Sequence, residues 1–460
     1  MLVMKRTTLR LLLPLAALGM AALACNLSSS SQPPTLVPRA TETPLPTIAY
    51  ATLSPQELPQ EIVRAPSAEV ALANLLNRVE SDRMFLHIDT LVSFRTRHVN
   101  SPNGQGTGIS AAFNYIQGQF EQIAAQSGGN MYVFPGGHEF RLNWAGVDTV
   151  QRNVVGIIQG TEIGGGTILI GAHYDSTSLN PEDGLAYAPG ANDNGSGVAA
   201  LIELARILSA SRHKSSIVFV AFSAEEVGRQ GSAAFIRDYI QAQNIQLNVM
   251  ISLDIIGSHT GPTGAVDDRH IRLFSAGPNE SVSRQAARTI HLLGYNMMPS
   301  LEVLVHDAID RDGRYSDHMS FTEAGYPAVR FIEPLEDINR QHTERDTLDD
   351  VQASYLTRAT QLVLAVVSAL ADGPRPPQNM SIRDAGNGLR TLVWEPVAGA
   401  TSYVVALRRP SSLVFDEQFE IADISVQWDG FVPTRFAGLA IAARDANGLM
   451  GPVSAEYAIP

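Results

Sequence analysis

The sequence predicts an α/β fold in which a mainly parallel open sheet carries helices on both faces, followed by a small all-β sandwich. Short apolar runs alternate with amphipathic stretches over about 220 residues, which is typical of strands joined by helices. The last 80 or so residues instead show only short alternating runs between turn residues. A chain of 460 residues, 45% of them hydrophobic, is long enough for both parts.

The α/β part is predicted to begin with helices near residues 67–79 and 109–125, where apolar residues recur at helical spacing. Beyond Asn153, apolar runs bounded by turn residues predict strands, and longer periodic runs predict helices. The strands are 154–158, 167–171, 216–222, 249–253, 271–274 and 328–332, and the helices are 196–208, 235–242 and 348–370. Because helices separate consecutive strands, most of the strands are expected to be parallel.

The N-terminus reads as an export signal. Basic residues among the first ten precede an apolar run over 11–24, which is too short to span a bilayer and is followed directly by Cys25. Residues 22–25 (ALAC) resemble a bacterial lipobox, although leucine stands two residues before the cysteine instead of three. We therefore expect a lipid anchor at Cys25 and a cell-surface location; the alternative is an ordinary secretory signal and a secreted protein.

Composition divides the rest of the chain into three parts. Residues 26–66 are rich in Ser, Thr and Pro and have few charges, so they are predicted to be a disordered linker. Residues 67–373 form the predicted catalytic domain. Residues 374–460 follow a proline-rich break, and Trp394, Tyr403 and the late turn at 445–448 resemble a fibronectin type III sandwich.

Charge and cysteine content exclude several function classes. The formal net charge is −13, so the chain has no overall positive field to attract nucleic acid. A single cysteine excludes an intramolecular disulfide and a cysteine-rich zinc module. Any metal site must therefore be made of His, Asp and Glu.

Polar side chains follow the apolar runs at the points where ligands bind in open α/β sheets, beyond the carboxyl ends of the strands. Each residue alone has an ordinary structural explanation, such as a turn, a helix cap or a solvated loop. Together they offer imidazoles and carboxylates for divalent cations, with a carboxylate left over to act as a base. They are His173, Asp175, Asp193, Glu225, Glu226, Asp254 and His342.

These residues lie in five separate segments, at 173–175, 193, 225–226, 254 and 342. The order and spacing of the segments resemble the co-catalytic dizinc aminopeptidase family, which includes bacterial leucyl aminopeptidases and is related to glutamate carboxypeptidase II and glutaminyl cyclases. The resemblance covers about residues 70–373. It implies two Zn²⁺ ions bridged by Asp193, with His173 and Asp254 on one ion and Glu226 and His342 on the other. It also implies that Glu225 is the general base, that Asp175 is the partner of His173, and that the Asp193–Asn194 peptide bond is cis.

A further segment, 315–321, also resembles this family. It suggests a substrate-side or structural role for Asp317 and His318, and a contact between the phenol of Tyr315 and the substrate carbonyl. Because the family takes its second imidazole from the His342 segment, His318 is not expected to bind metal.

The resemblance implies an extracellular zinc aminopeptidase that acts on peptides with a free N-terminus. Two alternatives remain open from the sequence: a single-zinc enzyme like glutaminyl cyclase, and a catalytically silent surface adhesion protein that uses the β-sandwich. The sequence leaves side-chain specificity, the physiological substrate and the oligomeric state undetermined.

Overall fold

The computed structural model describes residues 51–52, 69–102 and 106–460. Cys25, the predicted export signal and most of the predicted linker lie outside these residues, so those interpretations stay predictions. The first described helices are α1 (Glu69–Leu76), α2 (Ser81–Ser93) and α3 (Gly108–Gln126). In α3 the apolar residues recur every three or four positions, and this stripe, which includes Ile116 and Phe120, is buried.

The central sheet confirms the predicted α/β class. Its strands are Met131–Val133 (β2), His138–Trp144 (β3), Val147–Ile158 (β4), Thr167–His173 (β5), Ser216–Phe222 (β6), Leu247–Leu253 (β7), His270–Ser275 (β8), Glu302–His306 (β9) and Ala328–Ile332 (β10). Their order in the sheet is β2-β4-β6-β5-β7-β10-β8-β9, and β3 pairs with β4. The neighbours β6, β5, β7 and β10 are parallel, as are β8 and β9, whereas β4 runs antiparallel to β6 and β8 antiparallel to β10. The sheet is therefore mixed, with a parallel centre.

Helices cover both faces of the sheet, and β6 shows how the sequence achieves this. Its residues alternate between two apolar clusters, with Phe219 on one face and Phe222 on the other. The first cluster includes residues of α2, α3, α4 (Gly197–Leu208), α6 (Val282–Met297) and α8 (Ala353–Asp372). The second includes residues of α5 (Gln230–Phe235), its π-helical continuation Ile236–Gln241, and α7 (His318–Glu323).

Helix α8 has the length and apolar composition of a membrane span, and within the described residues it is the helix that meets this test. Its 18-residue apolar window is 67% buried inside the protein. A short 3₁₀ turn, Leu348–Asp350, precedes it. Its burial identifies α8 as a core helix of the α/β unit.

The C-terminal residues form two sheets, which are antiparallel apart from one parallel pairing with residues 51–52. One contains β11 (Ser381–Gly386), β12 (Leu389–Val393) and β15 (Ser425–Trp428). The other has the order β1-β14-β13-β16-β17, with β18 paired to β16, and its strands are Ala51–Thr52 (β1), Glu417–Ile421 (β14), Ala400–Arg408 (β13), Gly438–Asp445 (β16), Met450–Val453 (β17) and Tyr457–Ala458 (β18). Trp394 packs edge-on against Tyr403 between these sheets, with ring centroids 5.4 Å apart.

The larger C-terminal sheet is buried on both faces. Val405 and Ile441 belong to the core between the two sheets, whereas the alternate residues Val404 and Ala442 belong to the apolar cluster of the α/β unit. An ion pair of 3.1 Å between Arg288 on α6 and Glu456 joins the same two parts. The C-terminal sandwich is thus packed onto the α/β unit through an apolar interface.

Candidate metal centre

The candidate residues meet at one edge of the central sheet. His173 ends β5, Asp254 follows the last residue of β7, and Glu225 and Glu226 lie in the loop after β6. Because β6, β5 and β7 are parallel neighbours, their carboxyl ends lie side by side. Asp193 reaches the same edge from the π-type turn Ala191–Ser196 before α4. His342 reaches it from the loop after β10.

The two carboxylate oxygens of Asp193 face different imidazoles. Its Oδ1 lies 3.4 Å from Nε2 of His173, which is also 3.3 Å from Oδ1 of Asp254. Its Oδ2 lies 3.3 Å from Nε2 of His342, which is also 3.1 Å from Oε2 of Glu226. The structure therefore brings all five predicted ligands into two adjoining groups that share one carboxylate.

The residues present fit a metal centre. Ligand atoms of each group lie within 4.8 Å of one another, and a third overlapping group contains His173, Glu225 and Glu226. Oε1 of Glu226 is buried without a hydrogen-bond partner, which is costly for a carboxylate oxygen unless a cation binds it. Nitrogen and oxygen donors of this kind suit zinc. Glu226 belongs to two of the groups and Glu225 to one.

Asp175 anchors the loop that carries the two glutamates. Its Oδ1 and Oδ2 accept hydrogen bonds from the backbone N–H groups of Glu225 and Glu226, both at 3.1 Å. Nδ1 of His173 lies 3.2 Å from the backbone oxygen of Asp175 and 3.7 Å from its Oδ1. Asp175 is thus close enough to orient His173, as predicted, but its carboxylate is held mainly by the glutamate loop.

Backbone contacts fix the turn that presents Asp193. The carboxylate of Asp346 accepts hydrogen bonds from the N–H groups of Asn192 and Asp193, at 2.7 and 3.0 Å. Nδ2 of Asn194 donates to the carbonyl of Leu253 at 2.9 Å, which ties this turn to the end of β7. The Asp193–Asn194 peptide bond is cis, as the family resemblance implied.

Two buried arginines support the centre and were not identified from the sequence. Arg97 donates to the carbonyls of Tyr174 and Gly190 at 2.7 and 2.8 Å, and so joins the segments that follow β5 and precede Asp193. Arg330 lies 3.0 Å from Oδ2 of Asp254. A lone cation within the apolar strand 328–332 is a signal that could have identified Arg330, whereas nothing in the sequence around Arg97 indicates its partners.

The charged groups of the centre shift one another's protonation. Burial opposes protonation of His173, but the carboxylates of Asp254 and Glu225 outweigh it and raise the pKa well above its usual value. Glu226 is the main cause that raises the pKa of His342 to about 11. Burial raises the pKa of Glu225 well above its usual value, and the charge of Glu226 adds to the rise. Cations that bind here compete with these protons, so metal affinity must fall as pH falls.

A cavity of about 300 Å³ opens onto the candidate ligands. The three remaining predicted residues, Tyr315, Asp317 and His318, differ in their position relative to this cavity. Tyr315 lines the cavity and is 41% exposed. Asp317 and His318 are fully buried and do not line it, so the structure does not place them in contact with substrate.

The surroundings of Asp317 and His318 are those of buried framework residues. Nε2 of His318 donates to the carbonyl of Ile309 at 2.8 Å, and burial lowers the pKa of His318 to about 4. The carboxylate of Asp317 has no hydrogen-bond partner among the described residues, and burial raises its pKa to about 7. The imidazole of His318 is therefore neutral near pH 7, whereas the carboxyl of Asp317 is protonated mainly below about pH 7.

Comparison with known proteins gives a consistent family and fold. The model of Peptidase family M28 matches residues 153–367, which include every candidate ligand. A probable zinc metalloprotease of Pyrenophora tritici-repentis is 34% identical over 364 residues, 71% of this chain and 83% of the relative. A probable zinc metalloprotease of Pyricularia oryzae is 32% identical over 425 residues, which are 83% of this chain and 84% of the relative.

Solved structures share the fold over about two thirds of this chain. The Legionella pneumophila LapA aminopeptidase aligns with a TM-score of 0.52 at 23% identity, over 67% of this chain and 76% of that one. LapB from the same organism aligns with a TM-score of 0.52 at 23% identity, over 67% of this chain and 78% of LapB.

Proposed function

Because this chain belongs to peptidase family M28, whose relatives are probable zinc metalloproteases, we propose that it is an aminopeptidase that removes residues from the N-terminus of peptides. One observation carries the proposal: Asp193 lies between two sets of ligands, His173 with Asp254 and Glu226 with His342. Two imidazoles and three carboxylates would hold two zinc ions, with Asp193 shared between them.

Zinc bound there would polarise the substrate carbonyl and lower the pKa of the attacking water. The protein supplies the proton transfer. Glu225 lines the cavity, and no hydrogen bond or ion pair with another described residue holds its carboxylate. It can therefore accept a proton from water and pass it to the nitrogen of the leaving amine. The hydrogen bonds from Glu225 and Glu226 N–H to Asp175 keep this loop in place during both steps.

The charge and size of the cavity favour the end of a peptide over its middle. Four carboxylates lie around one part of it, and the negative charge there that bound zinc leaves unneutralised attracts the protonated amine of a free N-terminus. At about 300 Å³, the cavity is at the small end of the range for ligand pockets. The LapA neighbour, which is named an aminopeptidase, shares this fold.

Blocking the substrate amine is the direct test of this function. We expect the zinc-loaded protein to hydrolyse leucyl-p-nitroanilide, and N-acetylation to lower kcat/KM by at least about a hundredfold, because a charged anchor is lost. The measurement is a comparison of initial rates for the two compounds.

Comparable rates on the free and acetylated substrates would refute the aminopeptidase proposal and indicate an endopeptidase or another hydrolase. Conversion of a glutamine-initiated peptide to its pyroglutamyl form, with no release of amino acids, would instead support the cyclase alternative.

A further inference from the structure

The cavity next to the candidate ligands also has a cationic part. Four arginines line it: Arg229, Arg311, Arg314 and Arg330. Among the other lining residues, Ile255 is the one with an aliphatic side chain. A cavity with so little apolar surface does not resemble a pocket for a large hydrophobic side chain. Its chemistry instead suits a small substrate that carries charges of both signs.

Two of these arginines are already neutralised by neighbouring carboxylates. Arg330 lies 3.0 Å from Oδ2 of Asp254 and 2.9 Å from Oδ2 of Asp310. Arg311 is paired with Asp310 and, at close range, with Glu336. These pairs support the framework of the site. Nε and Nη2 of Arg330 form no hydrogen bond, but Nη2 is within ion-pair distance of Asp254, so the charge of Arg330 is already balanced.

The other two arginines have unused hydrogen-bonding groups. The side chain of Arg314 forms no hydrogen bond or ion pair with any residue in the described ranges, although it is partly buried at the cavity. Nη1 of Arg229 is buried without a hydrogen-bond partner. The guanidinium of Arg229 lies over the ring of Tyr315, 5.9 Å from its centroid, and its nearest acid, Glu323, is 3.8 Å away and half exposed.

The backbone at these arginines is also unusual. Arg229 has a φ of +58°, in the left-handed region that costs free energy for any residue other than glycine. Gly228 before it and Gly313 before Arg314 also have positive φ values, of +96° and +69°. Two tight turns thus present the two arginines to the same cavity, and one of them does so at a conformational cost.

We infer that this site prefers short peptides that carry a carboxylate on the leaving-group side of the scissile bond, bound by Arg314 and Arg229. The inference rests on the proposed function, because the amine of the substrate must lie at the carboxylate-rich part of the cavity. A guanidinium binds a carboxylate through paired N–H donors. Arg314 has such a pair without partners in the described ranges, and Arg229 adds the unpartnered Nη1. The carboxylate is either the C-terminus of a dipeptide or an acidic side chain at its second position.

The test compares matched acids and amides on the full-length, zinc-loaded protein. We expect kcat/KM for Ala-Ala to exceed that for Ala-Ala-NH₂ by about tenfold if the C-terminus is recognised, and kcat/KM for Ala-Asp-NH₂ to exceed that for Ala-Asn-NH₂ similarly if the side chain is. The substitution Arg314→Gln should remove the preference, mainly through KM, and leave hydrolysis of the neutral amides within about twofold.

Arg212→Gln is the matched control. Arg212 is exposed and precedes β6, whereas the site lies after the other end of that seven-residue strand, roughly 20 Å away. The side chain of Arg212 has no hydrogen bond or ion pair with described residues, so its substitution removes no contact. Arg212→Gln changes the net charge of the protein by the same amount as Arg314→Gln. This control should keep the preference of the parent protein.

Binding without turnover gives a second readout. A reduced-bond analogue of Ala-Ala, which cannot be hydrolysed, should bind about tenfold more weakly to the Arg314→Gln protein by calorimetry, and its amide should bind both proteins equally. Equal rates for acids and amides in the parent, or an equal loss on every substrate in Arg314→Gln, would overturn the inference while leaving the aminopeptidase proposal intact. If no peptide of the panel is hydrolysed, both the inferred carboxylate preference and the aminopeptidase proposal are wrong.

Discussion

Replacing Asp193 by alanine is expected to lower kcat/KM for peptide hydrolysis by more than about a thousandfold, equivalent to about 4 kcal/mol, and to release at least one zinc ion per chain. Asp193 is the one carboxylate whose two oxygens face both imidazoles, at 3.4 and 3.3 Å. Without it, two dications would lose the negative charge between them. Zinc analysis and initial rates on the same preparation measure both effects.

Asp268→Ala is the control for this substitution, because Asp268 is more than half exposed and lies outside the candidate centre. It should retain zinc and activity. An Asp193→Ala protein that keeps two zinc ions and the parent rate would show that Asp193 does not bridge.

Replacing Glu225 by glutamine should lower kcat by about 10³- to 10⁴-fold while the protein keeps its zinc. An amide has the shape of the carboxylate but cannot accept the proton of the attacking water. Its N–H bond to Asp175 comes from the backbone and is unaffected by the change. Steady-state kinetics give kcat of the variant, and elemental analysis gives its zinc content.

Glu226→Gln is the matched comparison, because the two residues are neighbours and both contact Asp175 through their N–H groups. Glu226 lies 3.1 Å from His342 and has a buried, unpartnered oxygen, so its substitution should release metal as well as activity. If the Glu225 variant lost zinc and the Glu226 variant kept it, the two roles would have to be exchanged.

The parallel centre of the sheet could be predicted from the sequence because its strands are buried on both faces and therefore form continuous apolar runs. Strands β6 and β10 match the predicted 216–222 and 328–332 to the residue. Helix α6 was not predicted. Its buried face contains Arg284, Arg288 and His291, and these interrupt the apolar periodicity on which the prediction depends.

The attachment of the C-terminal sandwich was also missed. The run 438–443 is almost wholly apolar, which is typical of a strand buried on both faces. Prediction of a separate domain assigns one face of that strand to the sandwich core and leaves the other without a partner. The structure supplies that partner, since Ala440 and Ala442 pack into the cluster that includes α6 and α8.

The candidate ligands could be predicted because each follows a strand or turn that the sequence marks clearly. The residues that hold them in place could not, because their contacts join distant segments. Arg97 meets carbonyls at residues 174 and 190, and Asp346 meets N–H groups at 192 and 193. Neither pairing has a local pattern, so both required the three-dimensional structure.

The most direct test of the account is the number of zinc ions bound by the active, full-length protein. Purified protein is equilibrated with zinc, freed of excess metal and measured by elemental analysis, with activity followed as zinc is added back to the chelator-treated form. We predict two zinc ions per chain and full activity only when both are bound, because His173 with Asp254 and Glu226 with His342 form separate sets around Asp193. Full activity with a single zinc ion per chain would contradict the proposed centre.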